Sequence, residues 1–532
     1  MSAALQIVWF KRDLRIEDHR PLLEAARSGG PVIALYVYEP EIIEAADFDP
    51  SHLVFINQSL AELDARLRTI GGRLTYRIGR LPEVFDEIHA RHGGIAGLWS
   101  HEETGNALTY ARDRRVGAWC RAHGVRWTEI PQHGVSRPRR TRDGWAERWT
   151  ARMSEPIAPV PRELCVVPAI DAGRPQTPAD LGLPDSTKDL AQPGGESHGR
   201  RLLDSFLTRR GVDYRRAMSA PRAAWTQCSR LSPYLTFGCV SMRQAFQYTR
   251  ERQDELAEFA SVGVGTDPRW ARSLASFQSR LRWHCHFIQK LEDEPAIEFQ
   301  NMSRAYDGLR EGKFSEEKFA AWREGRTGYP LVDACMRALH RSGWINFRMR
   351  AMLASFAAYH LWLHWQPTAV FLARHFLDYE PGIHYPQFQM QSGVTGINSI
   401  RIYSPGKQVL DHDPAGAFIR RFVPELARVP AAFLAEPHLM PSAMQAAAGC
   451  RIGRDYPVPV VEHAVVYQHA REKLGAIRRT DLARREAQRV YARHGSRERP
   501  LATRAGVARK RKLSRQKAAA KLATDPLQIK LL

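Results

Sequence analysis

QIVWF (6–10) is the first of five short apolar segments that determine how the beginning of this chain folds. The other four are VIALYVY (32–38), LTYRIG (74–79), IAGLWS (95–100) and VRWTEI (125–130). All are rich in β-branched and aromatic residues, and stretches long enough to be helices separate them. This alternation predicts an α/β domain with a doubly wound, parallel, five-stranded sheet covered by helices on both faces. No GxGxxG follows the first segment, so the pattern does not favour a dinucleotide-binding Rossmann domain.

We place this domain at residues 1–135. After it, the composition and residue pattern of the sequence change twice. Residues 136–200 are rich in Pro, Gly and polar residues and predict a long connector. Residues 201–495 show amphipathic helical patterns without strand signals, and they predict a larger all-α domain. Within it, WINFRMRAMLASFAAYHLWLHW (344–365) is long and apolar enough to be a buried helix.

Charge is the strongest compositional signal, because the 532 residues carry a formal net charge of +21. Such an excess attracts polyanions and favours a nucleic-acid partner, although a solvated basic surface would give the same number. Residues 496–532 contain eleven Lys or Arg and two acids. They predict a disordered basic tail, either a nucleic-acid arm or a solvated extension.

Cysteine usage and hydropathy exclude several classes of protein. The seven cysteines are loosely spaced and form no CxxC pair, which argues against a disulfide framework and against a metal site. The N-terminus lacks the apolar core of a secretory signal, and no apolar stretch is long enough to span a membrane. We therefore expect a cytoplasmic protein with no membrane partner, and we expect a monomer.

Five motifs in order along residues 5–440 resemble the photolyase/cryptochrome family. They are VWFKRDLRIEDHRPL (8–22), PQHGVSRP (131–138), SRLSPYLTFGCVS (229–241), TGYPLVDACMRALHRSGWINFRMR (327–350) and RIYSPGKQVLDHDPAGAFIRRFVPEL (401–426). The resemblance implies an FAD bound by the helical domain and a second, antenna chromophore, whose identity the sequence does not reveal. It also implies light-driven electron transfer from reduced FAD to a pyrimidine dimer in ultraviolet-damaged DNA.

The cofactor residues follow from this resemblance together with the chemistry of FAD. Its pyrophosphate needs hydroxyls, N–H groups and a cation, which the SRLS segment supplies at a predicted helix start, although an N-cap serine beside a surface arginine would look the same. The resemblance also implies an Arg350–Asp378 salt bridge over the flavin ring. His384 matches the position beside flavin N5, where the family carries Asn, Asp or Cys; a turn histidine bonded to the backbone is the alternative. The full predicted set is Tyr214, Cys228, Ser229, Arg230, Leu231, Ser232, Phe277, Arg280, His284, Phe347, Arg350, Asp378, Glu380 and His384.

Three further residues match family positions that contact the DNA substrate. Trp283 matches a stacking tryptophan for an extruded base, although core packing would explain it equally well in isolation. Arg348 matches an arginine on the phosphate edge of the substrate. Met390 occupies a family position that lines the substrate pocket.

The sequence departs from the family pattern at several of these positions. Arg280 replaces a substrate-contacting Glu or Gln, and His284 replaces a flavin-contacting Arg. Phe347 and Ala351 stand where (6-4) photolyases have two histidines and where dimer-splitting members have Asn and Met.

The family's three-tryptophan electron chain is also incomplete. Only Trp365 matches it, and Phe388 stands at the proximal position. Tyr379, Tyr385 and Tyr403 are alternative carriers, which the sequence does not order.

These observations predict a deoxyribodipyrimidine photo-lyase that acts on cyclobutane pyrimidine dimers. Three alternatives stay open at this point. One is a cryptochrome-type photoreceptor without repair, which the altered pocket and the tail favour. Another is (6-4) photoproduct repair, and the third is a light-independent nucleic-acid-binding protein, for which the basic charge alone would suffice.

Overall fold

A computed structural model describes residues 5–137, 142–168, 170–312 and 314–495. The basic tail predicted for residues 496–532 lies outside this description. In the described residues, no helix combines the length and apolar character that crossing a membrane requires. All seven cysteines carry free thiols.

The N-terminal region contains the predicted parallel sheet of five strands, in the order β3-β2-β1-β4-β5. Alternate residues of β1 face opposite sides of the sheet, so that Val8 and Phe10 belong to one core and Ile7 and Trp9 to the other. Helices α1 and α3 cover the first side, whereas α4 and α5 cover the second. The doubly wound fold is therefore confirmed. The elements are β1 (Gln6–Phe10), α1 (Arg20–Arg27), β2 (Val32–Tyr38), α2 (Pro40–Ile43), α3 (Pro50–Arg68), β3 (Leu74–Ile78), α4 (Glu83–Arg91), β4 (Gly97–His101), α5 (Ala107–Ala122) and β5 (Arg126–Ile130).

The connector packs more tightly than its composition predicts. It contains helix α6 (Trp145–Met153), whose Trp149 is fully buried against Phe246 with ring centroids 5.2 Å apart. The backbone N–H of Leu164 donates to Ile70 O (2.8 Å), and Val32 N–H donates to Cys165 O (2.7 Å). This segment thus packs against both regions, because Trp149 of α6 contacts Phe246 of the helical region and backbone bonds at Leu164 and Cys165 attach it to the α/β domain.

The C-terminal region is helical, as expected, and no strand follows β5 within the described residues. Its helices are α7 (Glu196–Thr208), α8 (Tyr214–Ala217), α9 (Pro221–Gln227), α10 (Ser232–Thr236), α11 (Met242–Ser261), α12 (Arg269–Asp293), α13 (Glu316–Arg323), α14 (Pro330–Ser342), α15 (Phe347–Ser355), α16 (Trp365–His375), α17 (Pro381–Ser392), α18 (Pro405–His412), α19 (Ala417–Phe422), α20 (Ser442–Ala448), α21 (His463–Arg478) and α22 (Asp481–His494).

The apolar segment 344–365 is not one helix. Helix α15 passes into a π-helical turn, Phe356–His360, and the chain then breaks before α16. Trp362, in the break, adopts a left-handed backbone conformation (φ 57°). An apolar pattern on all sides predicts burial, and two short packed segments satisfy burial as well as one long helix does.

Candidate functional site

A cavity of about 320 Å³ lies in the helical region, between α12, α15, α17 and the loop before α10. All fourteen residues that the sequence assigns to the cofactor line it, and so does Trp283. Helical spacing explains part of this convergence, since Phe277, Arg280 and His284 lie on one face of α12. The roles of these residues in cofactor binding stay predictions, but their common location is a property of the fold.

An ion pair in the cavity wall joins Arg350 to Asp378. Arg350 Nη2 lies 2.7 Å from Asp378 Oδ2, and the Asp378 side chain is only 2% exposed. The Arg350 Nε–H also donates to Ile345 O (2.8 Å), and the guanidinium lies 4.0 Å from the centre of the Phe376 ring. Three contacts therefore fix the cation, which matches the position implied for a charge beside the flavin ring.

Several buried acceptor atoms in the cavity wall have no hydrogen-bond partner in the part of the chain that the structure describes. They are Asp378 Oδ1, Glu380 Oε1, Asn346 Oδ1 and Gln387 Oε1. Buried polar atoms are almost always hydrogen-bonded, so these oxygens require a ligand or water that donates. A flavin offers a ring N–H, ribityl hydroxyls and an adenine amino group, and the lining therefore fits FAD.

The SRLS loop has a different local structure from an ordinary helix cap. The N-cap position of α10 is Leu231, with no side-chain cap bond, so the capping alternative for Ser229 and Ser232 is wrong. Arg230 has a positive φ of 61°, and its guanidinium lies 3.9 Å from the centre of the Trp344 ring. Burial lowers the pKa of Arg230 to about 10, so it stays cationic at neutral pH. A fixed cation beside two hydroxyls suits a phosphate.

Both histidines in the cavity are neutral at pH 7. Burial lowers the pKa of His384 to about 4, and its Nε2 lies 2.7 Å from Ala369 O. This backbone bond was the alternative explanation for His384, but the residue lies within α17 and not in a turn. Because Nε2 must donate to a carbonyl, Nδ1 is left as an acceptor. Burial also lowers the pKa of His284 to about 4, and its Nδ1 has no hydrogen-bond partner among the residues that the structure describes.

Two aromatic side chains form the exposed rim of the cavity. Trp283 is 42% exposed and Phe347 is 47% exposed, and among the described residues they are the only large apolar side chains that are both exposed and in the cavity wall. Core packing is therefore not the reason for Trp283. Phe347, whose assignment to the cofactor stays a prediction, lies where a molecule entering the cavity would meet it.

Four other predicted residues do not line the cavity. Arg348 and Met390 are half-buried outside the lining. Trp365 is buried, and its Nε1–H donates to Asn301 Oδ1 (2.8 Å). Tyr385 lies beside it, with ring centroids 6.4 Å apart.

Tyr379 lines the cavity, although the sequence did not single it out among three tyrosines. Its ring lies 6.4 Å from that of Tyr385, and the two hydroxyl oxygens are 3.3 Å apart. With increasing separation from the cavity, the aromatic residues therefore follow in the order Tyr379, Tyr385 and Trp365. The only sequence signal was the position of Tyr379 between Asp378 and Glu380. Asn346 and Gln387 were missed entirely.

A second cavity, of about 150 Å³, lies at the carboxyl ends of β1, β2 and β4. Parallel sheets bind ligands at this edge, where the strand order reverses. Thr236 and Tyr379 line both cavities, and Arg12 Nη2 is paired with Glu380 Oε2 (2.8 Å) near their junction. Burial raises the pKa of Glu39, in the wall, to about 7.

Comparison with known proteins agrees with the two-part organisation. Residues 6–149 match the family described as DNA photolyase, and residues 277–476 match the FAD binding domain of DNA photolyase. The chain is 29% identical to a (6-4) DNA photolyase of Oryza sativa, covering 89% of this chain and 90% of that protein. It is 30% identical to cryptochrome-1 of Arabidopsis thaliana, covering 86% and 68%.

A solved structure shows the same fold over most of the chain. The bacterial class III photolyase of Agrobacterium tumefaciens superposes with a TM-score of 0.78 at 25% identity, covering 90% of this chain and 99% of that one. The five motifs, the lining of the cavity and these matches lead to one conclusion: the chain belongs to the photolyase/cryptochrome family and contains the family's FAD-binding domain.

Proposed function

We propose that this protein is a DNA photolyase that repairs cyclobutane pyrimidine dimers under blue light. The observation that carries the proposal is the half-exposed Trp283 at the mouth of a cavity whose lining fits FAD. When bound and reduced, FAD supplies the excited-state electron that opens the dimer. An extruded base needs an aromatic platform, and an exposed rim tryptophan provides one within reach of the cavity.

The side chains around the mouth support this proposal. Trp283 and Phe347 offer exposed apolar faces to a base. Arg280 is exposed and also lines the cavity, so it can meet a phosphate of the bent strand. The Arg350–Asp378 pair holds a cation deeper in the cavity, where it can stabilise negative charge on the bound ring.

A repair assay on defined oligonucleotides tests the proposal and its alternatives together. One substrate carries a single cyclobutane dimer and another a single (6-4) photoproduct, each with chemically reduced protein in blue light and in darkness. We expect light-dependent loss of the cyclobutane dimer only, since Phe347 and Ala351 replace the two histidines of (6-4) enzymes. Light-dependent loss of the (6-4) photoproduct would mean that this lesion, and not the cyclobutane dimer, is the substrate.

If flavin-loaded, reduced protein repairs neither lesion, the result would favour a cryptochrome-type photoreceptor. The 30% identity to cryptochrome-1 of Arabidopsis thaliana makes this function a specific alternative. Protein that binds DNA but purifies without flavin would favour the light-independent alternative.

DNA affinity should depend strongly on salt, and Arg280 should contribute to that dependence. Each arginine–phosphate contact releases counterions, so replacing Arg280→Ala should reduce the slope of log affinity against log salt by about 1. The matched control is Arg174→Ala, an exposed arginine of the connector paired with Asp180 (2.7 Å). Fluorescence anisotropy on a duplex between 50 and 200 mM salt, concentrations over which electrostatic binding changes strongly, measures both slopes. Equal slopes for the two variants would show that Arg280 does not contribute to DNA binding.

Photoreduction of the bound flavin should be slow and should use tyrosine. Phe388 lines the cavity at the proximal position, and phenylalanine is too difficult to oxidise to relay an electron at ordinary driving force. We expect Tyr379→Phe to slow flavin bleaching in the presence of an external thiol, whereas Trp365→Phe changes it little. Tyr403→Phe is the control, since Tyr403 does not line the cavity. Fast bleaching that Trp365→Phe abolishes would contradict the tyrosine route. Repair by pre-reduced protein should survive all three changes.

A further inference from the structure

A second set of buried polar atoms without partners lies outside the flavin cavity, around the turn that follows α17. Five residues contribute to it, and none of them is more than 2% exposed. The unpartnered atoms are the Nε and Nη2 of Arg310 and the hydroxyl oxygens of Ser303, Tyr306, Tyr359 and Ser392. Every one of these groups can donate a hydrogen bond, and none is an obligatory acceptor.

Three of the five residues contact the turn. Arg310 Nη1 donates to the carbonyl oxygen of Ser392 (3.1 Å). A Cβ atom at Gly393 would lie 2.5 Å from the Tyr359 hydroxyl, so that hydroxyl touches the next residue of the turn. The Ser303 N–H donates to Val394 O (3.1 Å). Arg310, Tyr359 and Ser303 therefore surround three consecutive residues.

Arg310 is a buried cation, and the carboxylate of the neighbouring Glu311 interacts with its charge. Its own backbone N–H donates to Glu311 Oε2 (2.8 Å), but within the described part of the chain no carboxylate pairs with its guanidinium. Burial lowers the pKa of Arg310 to about 10, so the group is still charged at neutral pH. The guanidinium lies 4.6 Å from the centre of the Trp362 ring and 5.5 Å from that of Tyr359. Aromatic faces attract a cation, but they leave Nε and Nη2 without acceptors.

The two residues whose aromatic rings contact the Arg310 guanidinium both have an unusual backbone conformation. Tyr359 belongs to the π-helical turn, a feature that is often found at functional sites. Trp362 has the positive φ of 57°, which is uncommon for a residue with a bulky side chain. Both irregularities bring an aromatic ring against the same guanidinium.

We propose that this cluster binds one small monovalent anion of the halide type. Arg310 supplies the compensating charge through Nε and Nη2, and the hydroxyls of Tyr306, Tyr359 and Ser392 complete a shell of donors. Glu311 forms no ion pair with the guanidinium within the described residues, and all the unpartnered groups of the cluster are donors, so a small anion, which only accepts hydrogen bonds, satisfies them. The site is separate from the flavin cavity, whose lining contains none of these residues.

Thermal unfolding of the full-length, flavin-loaded protein tests the site. Sodium chloride replaces sodium gluconate at constant ionic strength, and chloride NMR line broadening is followed in parallel. We expect a saturable rise in the unfolding midpoint of about 1–3 °C, because a ligand that binds only the folded state stabilises it by mass action. Arg310→Met should abolish both the rise and the excess line broadening, and Tyr359→Phe, which removes only a hydroxyl, should weaken both.

The matched control is Arg304→Met, a neighbouring arginine that is half-exposed and paired with Asp307 (2.9 Å). It should retain the full response to chloride. A crystal grown in bromide should show an anomalous peak beside Arg310. The proposal fails if chloride and gluconate give the same midpoint, if Tyr359→Phe and Arg310→Met respond like the control, or if ordered water alone occupies the cluster. None of these outcomes bears on DNA repair.

Discussion

Replacing Asp378→Asn should deplete the protein of flavin. The substitution removes the one carboxylate that pairs with Arg350 among the described residues and leaves a cation in the cavity wall without this partner. Breaking a buried pair by removing one partner costs about 3–5 kcal/mol. The Arg350 side chain is a quarter exposed and partly screened, so we expect a loss of about 2 kcal/mol, or roughly 30-fold in flavin affinity.

Flavin content per chain, from the absorbance ratio of purified protein, gives a first measure of the effect. Titration of stripped protein with FAD then gives the affinity. Asp189→Asn is the matched control, since Asp189 pairs with Arg341 on the exposed surface. It should retain normal flavin content. Full occupancy in Asp378→Asn would remove this carboxylate from the cofactor site, and loss of flavin in both variants would indicate general destabilisation.

Replacing Trp283→Ala should abolish preference for damaged DNA while leaving the flavin in place. Stacking of a base on an aromatic side chain contributes about 1–3 kcal/mol. Affinity for a dimer-containing duplex should therefore fall about 10–100-fold, whereas affinity for undamaged duplex, which is mainly electrostatic, should change little. Light-driven repair at limiting DNA should fall in parallel with the affinity.

Phe299→Ala is the matched control for Trp283→Ala. Phe299 is 54% exposed and does not line the flavin cavity, so its loss tests whether any exposed aromatic residue would have the same effect. Both variants should keep the flavin spectrum of the parent protein. Unchanged discrimination in Trp283→Ala would mean that the lesion is not held at this rim, even if repair continues.

The sequence by itself determined the fold class and about half of the lining of the cavity. The five strand segments were predictable because alternation between short apolar runs and helical stretches is a local property of the chain. The fourteen cofactor residues were found by matching this chain to family positions, and six of them (Ser229, Arg230, Leu231, Ser232, Phe347 and Arg350) lie within two of the five contiguous motifs. Spacing along α12 further required Phe277, Arg280 and His284 to share a face.

Only the tertiary structure decided which of these residues are exposed, paired or without partners. Phe347 lies on the rim because of how α15 meets the cavity, and Trp149 is buried because the connector packs against α11. The order Tyr379, Tyr385, Trp365 depends on the packing of α17 against α16. Arg12 and Glu380 pair across 368 positions, and Arg310 meets Tyr359 and Ser392 only in the folded chain. Local periodicity indicates on which side of its helix or strand a residue lies. Burial and pairing, in contrast, depend on residues that are distant in sequence, and burial and pairing decide the chemistry of the site.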